Sequence, residues 1–309
     1  MRFTPLLVVF VLTSFWIFTL NSLTKNEITS LRDICSLDDS ISCARPFIRF
    51  KQRYRYSSKY RLVGCAIEKN FSTLLTSILC FLHNESRFQK KGRNLLRETF
   101  HNRLCGPSNE ATEISKILNK FNLTTPIANR NWTFIGITRD PIDRFISGFV
   151  DKCIKEETWM KYPDRCCGCK RNLECFVNKM YERIMKRSNG MKQRTSFDDD
   201  HFFPQSWRCE FSSFLHEYTI LRFSASQPQP FIQELFKIFR KQGVEEQSIK
   251  FIDDSISGGR TVHSTFQSED RLHYEQQLRS SPQLMQLIVR MYYYDFVLFQ
   301  YPIPEIKWI

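Results

Sequence analysis

Glycine is scarce in this chain, ten residues in 309. Nowhere do these glycines fall in the GxxxxGK[ST] spacing by which a P-loop NTPase cradles phosphates. A nucleotide kinase of that class is therefore excluded. No internal repeat is evident. Acidic side chains are also in deficit, 32 against 45 Lys and Arg, so the net charge is +13 and the surrounding field attracts anions. Charge alone admits nucleic acid, anionic lipid and acidic polysaccharide as partners, and equally an inert basic surface. Long apolar runs are missing with one exception. The run Pro5 to Leu20 follows Arg2 and carries no charged residue. At roughly 16 residues it falls between a signal-peptide core and a complete span. No small-x-small cleavage site follows it, which favours a retained anchor with Arg2 in the cytosol and the rest of the chain in the lumen. The expectation is a single-pass type II membrane protein.

Cysteine is plentiful. All 11 cysteines lie beyond the apolar run, where an oxidising lumen permits disulfides. The odd number leaves one unpaired or bonded to another chain. Cys166, Cys167, Cys169, Cys175 and Cys209 lack a second CxxC pair and match no usual zinc spacing, and no metal is expected. Sequons at Asn70, Asn84, Asn122 and Asn131 agree with luminal exposure. Together these features put the chain in the wrong compartment for a nucleic-acid-binding module, so no nucleic acid partner is expected.

Three regions follow: a cytosolic tip and signal-anchor over 1–22, a luminal stem over 23–60, and a catalytic domain over 61–309. The stem closes on a basic-aromatic stretch holding Arg49, Lys51, Arg53, Arg55, Lys59 and Arg61, suited to an acidic glycan or to plain solvation. RLVGCAI, from Arg61 to Ile67, reads as a buried strand, with a polar loop and a helix through Leu82 behind it. WTFIGIT, from Trp132 to Thr138, reads as a second strand, and Pro141 suits the first turn of a helix running to about Asp151. Glu110 to Phe121 reads as a crossover helix. Cys153 to Cys209 lacks strong periodicity and reads as irregular and disulfide-tied. Tyr218–Phe223 is a further strand, and helices are placed over Pro230–Gln242, Glu269–Ser280 and Pro282–Tyr294. Strands alternating with helices imply an α/β fold, a parallel sheet with flanking helices.

Two strand-to-helix corners carry the chemistry. At Ile67-Glu68-Lys69-Asn70-Phe71-Ser72-Thr73, unpaired helix amides can cradle an anion, Lys69 adds a charge, and Ser72 and Thr73 add hydroxyls; alternatively Ser72 merely caps the helix. At Arg139-Asp140-Pro141-Ile142-Asp143-Arg144-Phe145-Ile146-Ser147-Gly148-Phe149, Arg139 and Ser147 can converge on one phosphate, the arginine through its planar fork, while Asp140 holds the turn or caps the helix.

These residues resemble a known family. RDPIDRFISGF is similar to the 3'-phosphate-binding segment RDPxxRxxSxF of the carbohydrate sulfotransferases, and IEKNFST is similar to their 5'-phosphosulfate loop, usually PKxxST. Asp200 to Gln205 with Cys209 resembles the DxHWxPQ and cysteine segment, and Tyr293 to Tyr301 resembles the YxDFxLFxY ending. The likeness runs from about Arg61 to Tyr301 and is nearest to the chondroitin 4-O-sulfotransferase branch and its expanded invertebrate relatives. It implies a P-loop-like sulfotransferase fold in the Golgi, using 3'-phosphoadenylyl sulfate (PAPS) as donor and an anionic glycosaminoglycan as acceptor. It further implies that Lys69, Ser72 and Thr73 hold the 5'-phosphosulfate, that Arg139 and Ser147 grip the 3'-phosphate, and that Asp140 and Arg144 of the same segment are cofactor-binding too. Lys69 is then placed to stabilise the leaving phosphate. His201 is the candidate base for the acceptor hydroxyl, with Asp198, Asp199 or Asp200 as the group that orients it.

Two departures stand out: Glu68 replaces the usual proline and adds repulsion near an anion, and Asn70-Phe71 replaces smaller residues. They motivate a second reading, a luminal glycan-binding member that has lost catalysis. A glycan on Asn70 would obstruct the donor, so this sequon is expected to be unmodified.

Overall fold

Strand β2 (Leu62–Cys65) pairs in parallel with β4 (Thr133–Arg139), and β4 pairs in parallel with β5 (Tyr218–Phe223). The registers Leu62↔Thr133 and Arg139↔Phe223 bring the carboxyl ends of these strands to one edge of the sheet. In open α/β sheets ligands bind at that edge. The computed structural model describes Cys35 and residues 43–99, 102–123, 131–259, 261 and 263–306. The Pro5–Leu20 run lies outside them, and no helix among the described residues is long and apolar enough to cross a membrane.

The sheet has five strands in the order β3-β1-β2-β4-β5 and is mixed rather than wholly parallel. β1 (Tyr54–Ser57) runs antiparallel to β2, and the two-residue β3 (Glu110–Ala111) runs antiparallel to β1. The folded unit reaches back to Cys43, so the stretch assigned from sequence to the stem contributes a strand. The sequence hides β1 because Tyr54 and Tyr56 alternate with Arg55 and Ser57, and all four side chains are buried. Glu110 and Ala111 likewise belong to a strand, and the helix behind them begins only at Ile114.

Alternation along the strands separates two cores. Leu62, Ile135 and Ile137 face a cluster with Leu75, Ile78, Leu79, Leu235 and Phe239. Val63, Cys65 and Phe134 face Tyr54, Tyr56, Ile114 and Ile117. Helix α1 (Ser72–His83) lies so close to the sheet that a Cβ on Gly64 would stand 2.8 Å from Leu79 Cδ1. Helix α2 (Pro141–Phe149) follows β4 and passes into a π-turn over Val150–Lys155. Such turns often mark functional positions because they rotate side chains off the regular helical face.

The cysteine-rich stretch contains a regular element that its composition obscures, helix α3 (Leu173–Ser188), before helix α4 (Phe197–Phe202). Disulfides Cys153–Cys166 and Cys169–Cys175 bracket the irregular part, Cys65–Cys209 and Cys80–Cys105 tie other elements, and Cys167 is the free thiol among the described residues. A helix over Glu246–Ser257, which the sequence reading leaves out, follows the one at Pro228–Lys241. The last helix, α5, spans Pro282–Leu298.

Candidate active site

The loop from β2 into α1 is strained. Lys69 and Phe71 take positive φ angles of 69° and 61°, conformations that cost non-glycine residues about 1–2 kcal/mol each. Buried Asn70 holds the loop by donating from Nδ2 to the Ile137 carbonyl (2.9 Å) and to Gln205 Oε1. Its amide is thus consumed inside the protein, which accords with the expectation that this sequon carries no glycan. Phe71, not Ser72, is the N-cap of α1, and its side chain caps nothing. The first intrahelical bond of the turn runs from the Leu75 amide to the Phe71 carbonyl. The N-terminal amides of α1 are therefore left for an anion, and the helix dipole adds to their attraction.

The second corner meets the first. Arg139 Nη1 donates to the Lys69 carbonyl at 2.9 Å, its Nε pairs with Asp143, and its guanidinium lies 5.5 Å from the Phe223 ring centroid. Gln205 fastens the junction further. Its Oε1 accepts from the Arg139 amide and its Nε2 donates to the Arg139 carbonyl, both at 2.9 Å, while the same Oε1 takes the Asn70 bond. Gln205 is in turn seated by buried Asp295 of α5, whose carboxylate accepts from the amides of Gln205 (2.7 Å) and Ser206 (2.8 Å).

Lys69, Ser72, Thr73, Arg139, Ser147 and His201 line one cavity of about 1030 Å³, a volume at the upper end for small-molecule sites. Asp140 and Arg144 do not line it. Asp140 caps α2 by accepting from the Asp143 amide at 2.9 Å. Arg144 is fully buried and donates to the carbonyls of Glu68 (3.1 Å) and Phe203 (3.0 Å). These two residues hold the corners rather than a ligand. Gly148 permits the next contact, since a Cβ there would meet the Phe202 ring at 2.8 Å.

Within the cavity the charges are organised around Asp151, a residue the motifs do not flag. Lys69 Nζ lies 3.0 Å and Lys152 Nζ 2.9 Å from Asp151 Oδ2, and Lys152 also reaches Glu156 at 2.7 Å. His263 Nδ1 lies 3.0 Å from Glu156 Oε1. Burial pulls the Lys69 ammonium down to about 8 against the opposing pull of Asp151. Burial also acts to raise the Asp151 carboxyl, but His263 at 3.6 Å and the two ammoniums outweigh it and hold the group well below the usual carboxylate range. The neighbouring carboxylates of Asp151, 3.6 Å away, and of hydrogen-bonded Glu156 raise His263. Asp151 and Lys152 stand at the end of an apolar helix and could have been noticed as charges on a buried face; His263 lies in a segment with no motif.

The other wall carries His201. Its Nδ1 is 2.9 Å from the Phe197 carbonyl. A carbonyl only accepts, so Nδ1 holds the proton and Nε2 a lone pair. Burial, then Lys152 and Lys69, push this imidazole down to about 3, so it is neutral across the physiological range. None of the three neighbouring aspartates bonds the ring: Asp198 accepts from the amides of Cys166 and Cys167, Asp199 pairs with Arg183, and Asp200 with Lys51 and Arg53. The carbonyl of Phe197 does the orienting. Glu68 lines the cavity but is neutralised by Arg53 and by Arg208 (3.4 Å), so the repulsion suggested by its sequence position is cancelled. In the basic-aromatic stretch, Arg53 and Arg55 reach the cavity, and Arg55 is itself paired with Glu110 at 3.3 Å.

The sequence profile of the Sulfotransferase family matches residues 52–302. This chain belongs to the sulfotransferase family. A carbohydrate sulfotransferase of Caenorhabditis elegans is 32% identical over 283 residues, covering 90% of this chain and 84% of the relative. An uncharacterized protein of the same organism is 36% identical over 276 residues, 89% of this chain and 75% of its own length. No solved structure matches. The family match begins at residue 52, two residues before β1, and so includes the strand that the sequence reading assigns to the stem.

Proposed function

We propose that this sulfotransferase moves a sulfuryl group from PAPS to a hydroxyl of a glycan, of chondroitin-like glycosaminoglycan type. The observation that carries the reading is the 2.9 Å bond from Arg139 to the Lys69 carbonyl, by which two anion-binding corners open onto one cavity. Lys69, Ser72, Thr73 and the amides of α1 take the 5'-phosphosulfate, and Arg139 with Ser147 takes the 3'-phosphate. Phe223, Pro228 and Ile232 offer apolar surface to the base. The acceptor oxygen forms a bond to sulfur while the bond from sulfur to the bridging phosphate oxygen breaks. Negative charge grows on that bridging oxygen and Lys69 stabilises it; the hydroxyl proton passes to Nε2 of His201. The polyanionic donor offsets the two ammoniums that depress the imidazole, so His201 becomes a better base once the donor is bound.

The C. elegans relative named a carbohydrate sulfotransferase supports a sugar acceptor. The disulfides among the described residues are in keeping with an oxidising compartment, and with the Pro5–Leu20 run as anchor the proposal puts the protein in the Golgi membrane with its catalytic unit in the lumen. The alternative of an inactive glycan binder rested on Glu68 and on Asn70-Phe71. The first is ion-paired and the second shapes the loop, so neither observation now favours it. Radiolabelled PAPS incubated with desulfated glycosaminoglycans should yield labelled polymer; binding of adenosine 3',5'-bisphosphate without any transfer would leave the inactive reading standing.

Two further results are expected. With kcat/KM for PAPS measured across pH, activity stays level from about pH 5 to 7, because His201 is already neutral there, and falls above about 8 as free Lys69 loses its proton. Lys69→Arg, which stays charged, removes that falling limb. A bell with an acid limb near 6.5 would assign the base elsewhere. His201→Ala lowers kcat by about 100- to 10,000-fold, with the affinity for adenosine 3',5'-bisphosphate retained in calorimetry; full turnover would end the base role.

A further inference from the structure

Beside His201 the cavity wall holds an arginine that the donor chemistry does not use. The Arg165 guanidinium packs against two rings, its central carbon 4.0 Å from the centroid of Tyr162 and 4.0 Å from that of Phe197. Phe197 in turn lies against the His201 ring, with centroids 4.4 Å apart, so the stack ends on the base. Arg165, Phe197 and His201 all line the cavity. Most other cations there are paired: Lys69 and Lys152 with Asp151, Arg139 with Asp143, Arg53 with Glu68 and Asp200. No carboxylate among the described residues pairs with Arg165.

The backbone that presents Arg165 is fixed at some cost. Cys166 and Cys167 both take positive φ angles, 54° and 53°. They are held there by the Asp198 carboxylate, which accepts from both amides at 3.1 and 3.0 Å, and by the Cys153–Cys166 disulfide, which ties them to the π-turn bearing Asp151 and Lys152. Asp198 neighbours Phe197 in α4, so one short helix sets the ring, the loop and the base together. Left-handed conformations at two successive non-glycine residues persist where surrounding structure over-determines them, and such strain gathers at ligand sites.

Two rings pack on the guanidinium carbon, and no carboxylate among the described residues takes its N–H donors. Those donors form the planar fork that pairs in-plane with a planar carboxylate. We propose that Arg165 is a specificity residue for the acceptor: it binds the carboxylate of a hexuronate unit next to the sugar whose hydroxyl faces His201. This rests on the glycan sulfotransferase reading above and adds the acidic sugar that the site selects. The stack couples recognition to chemistry, because a uronate seated on Arg165 fixes the neighbouring hydroxyl against the imidazole.

The test uses the intact protein with desulfated chondroitin and with the same polymer after its carboxylates are reduced to alcohols. Wild type should prefer the carboxylate-bearing polymer by about 10- to 100-fold in kcat/KM, the size of a charge-assisted hydrogen-bonded pair. Arg165→Met should lose that preference, with activity on the reduced polymer and KM for PAPS unchanged. Arg165→Lys, which keeps the charge without the fork, should fall between them. Equal wild-type activity on both polymers overturns the subsite while leaving the sulfotransferase intact, and so does an Arg165→Met loss that is the same for both. A preference regained by a carboxyl-reduced but sulfated polymer reassigns Arg165 to a sulfate ester and overturns the carboxylate. A wild type inert on both polymers defeats the parent reading itself.

Discussion

Lys69→Ala lowers the turnover of sulfuryl transfer by about 100- to 1000-fold, the usual loss when a pre-oriented group that meets developing negative charge is removed. The fold survives the change. Asp151 keeps Lys152 at 2.9 Å and remains within reach of His263, so its carboxylate is not stranded, and the truncated lysine had itself borne a desolvation cost. Calorimetry with adenosine 3',5'-bisphosphate separates the effects: affinity for the product falls modestly, because Arg139, Ser147 and the α1 amides remain, while turnover with PAPS collapses. A variant that keeps more than about a tenth of wild-type turnover would show that the charge on the bridging oxygen is met elsewhere.

Gln205→Leu gives the second large effect, on stability and donor affinity together. Leucine is close in size but returns no hydrogen bonds, so the buried Arg139 amide and carbonyl lose their partner and Asn70 retains only the Ile137 carbonyl. Each orphaned buried group costs about 1–3 kcal/mol, giving a loss of about 2–5 kcal/mol. For a domain of this size that lowers the melting temperature by about 5–15 °C. Donor binding weakens as well, since Gln205 holds Asn70 and Arg139 at a fixed separation. Thermal melts with and without adenosine 3',5'-bisphosphate check both parts. An unchanged melting curve would mean that the corners are held by Arg139 and the Lys69 carbonyl alone.

Much of this site was visible in the sequence because its residues sit where local rules are strong. A buried apolar strand, a polar corner and a helix start leave amides free, and the presence of Lys69 at one such corner and Arg139 at the other marks both as candidate anion sites. His201 stood out by its chemistry. What the sequence did not disclose depends on contacts between distant segments. Arg144 reads as one more phosphate ligand until its side chain is seen crossing to Glu68 and Phe203. The acids before His201 read as its orienters, yet each is committed to another segment. Asp151 emerges only once a π-turn swings it towards Lys69. The antiparallel edge of the sheet was missed for a related reason: Arg55 and Ser57 are polar yet buried, and their partners, Glu110 and the Tyr54 carbonyl for Arg55 and the Leu82 carbonyl for Ser57, make that tolerable.

The two bonds from Asp295 to the amides of Gln205 and Ser206 reach further than their position in the chain suggests. No residue of α5 lines the cavity, yet the helix is the keel on which the junction of the two corners is laid. A chain without Asp295 would keep the residues that line the cavity but lose the carboxylate that seats Gln205 between the two corners. Damage at the C-terminus of this protein should thus be read as damage to its active centre.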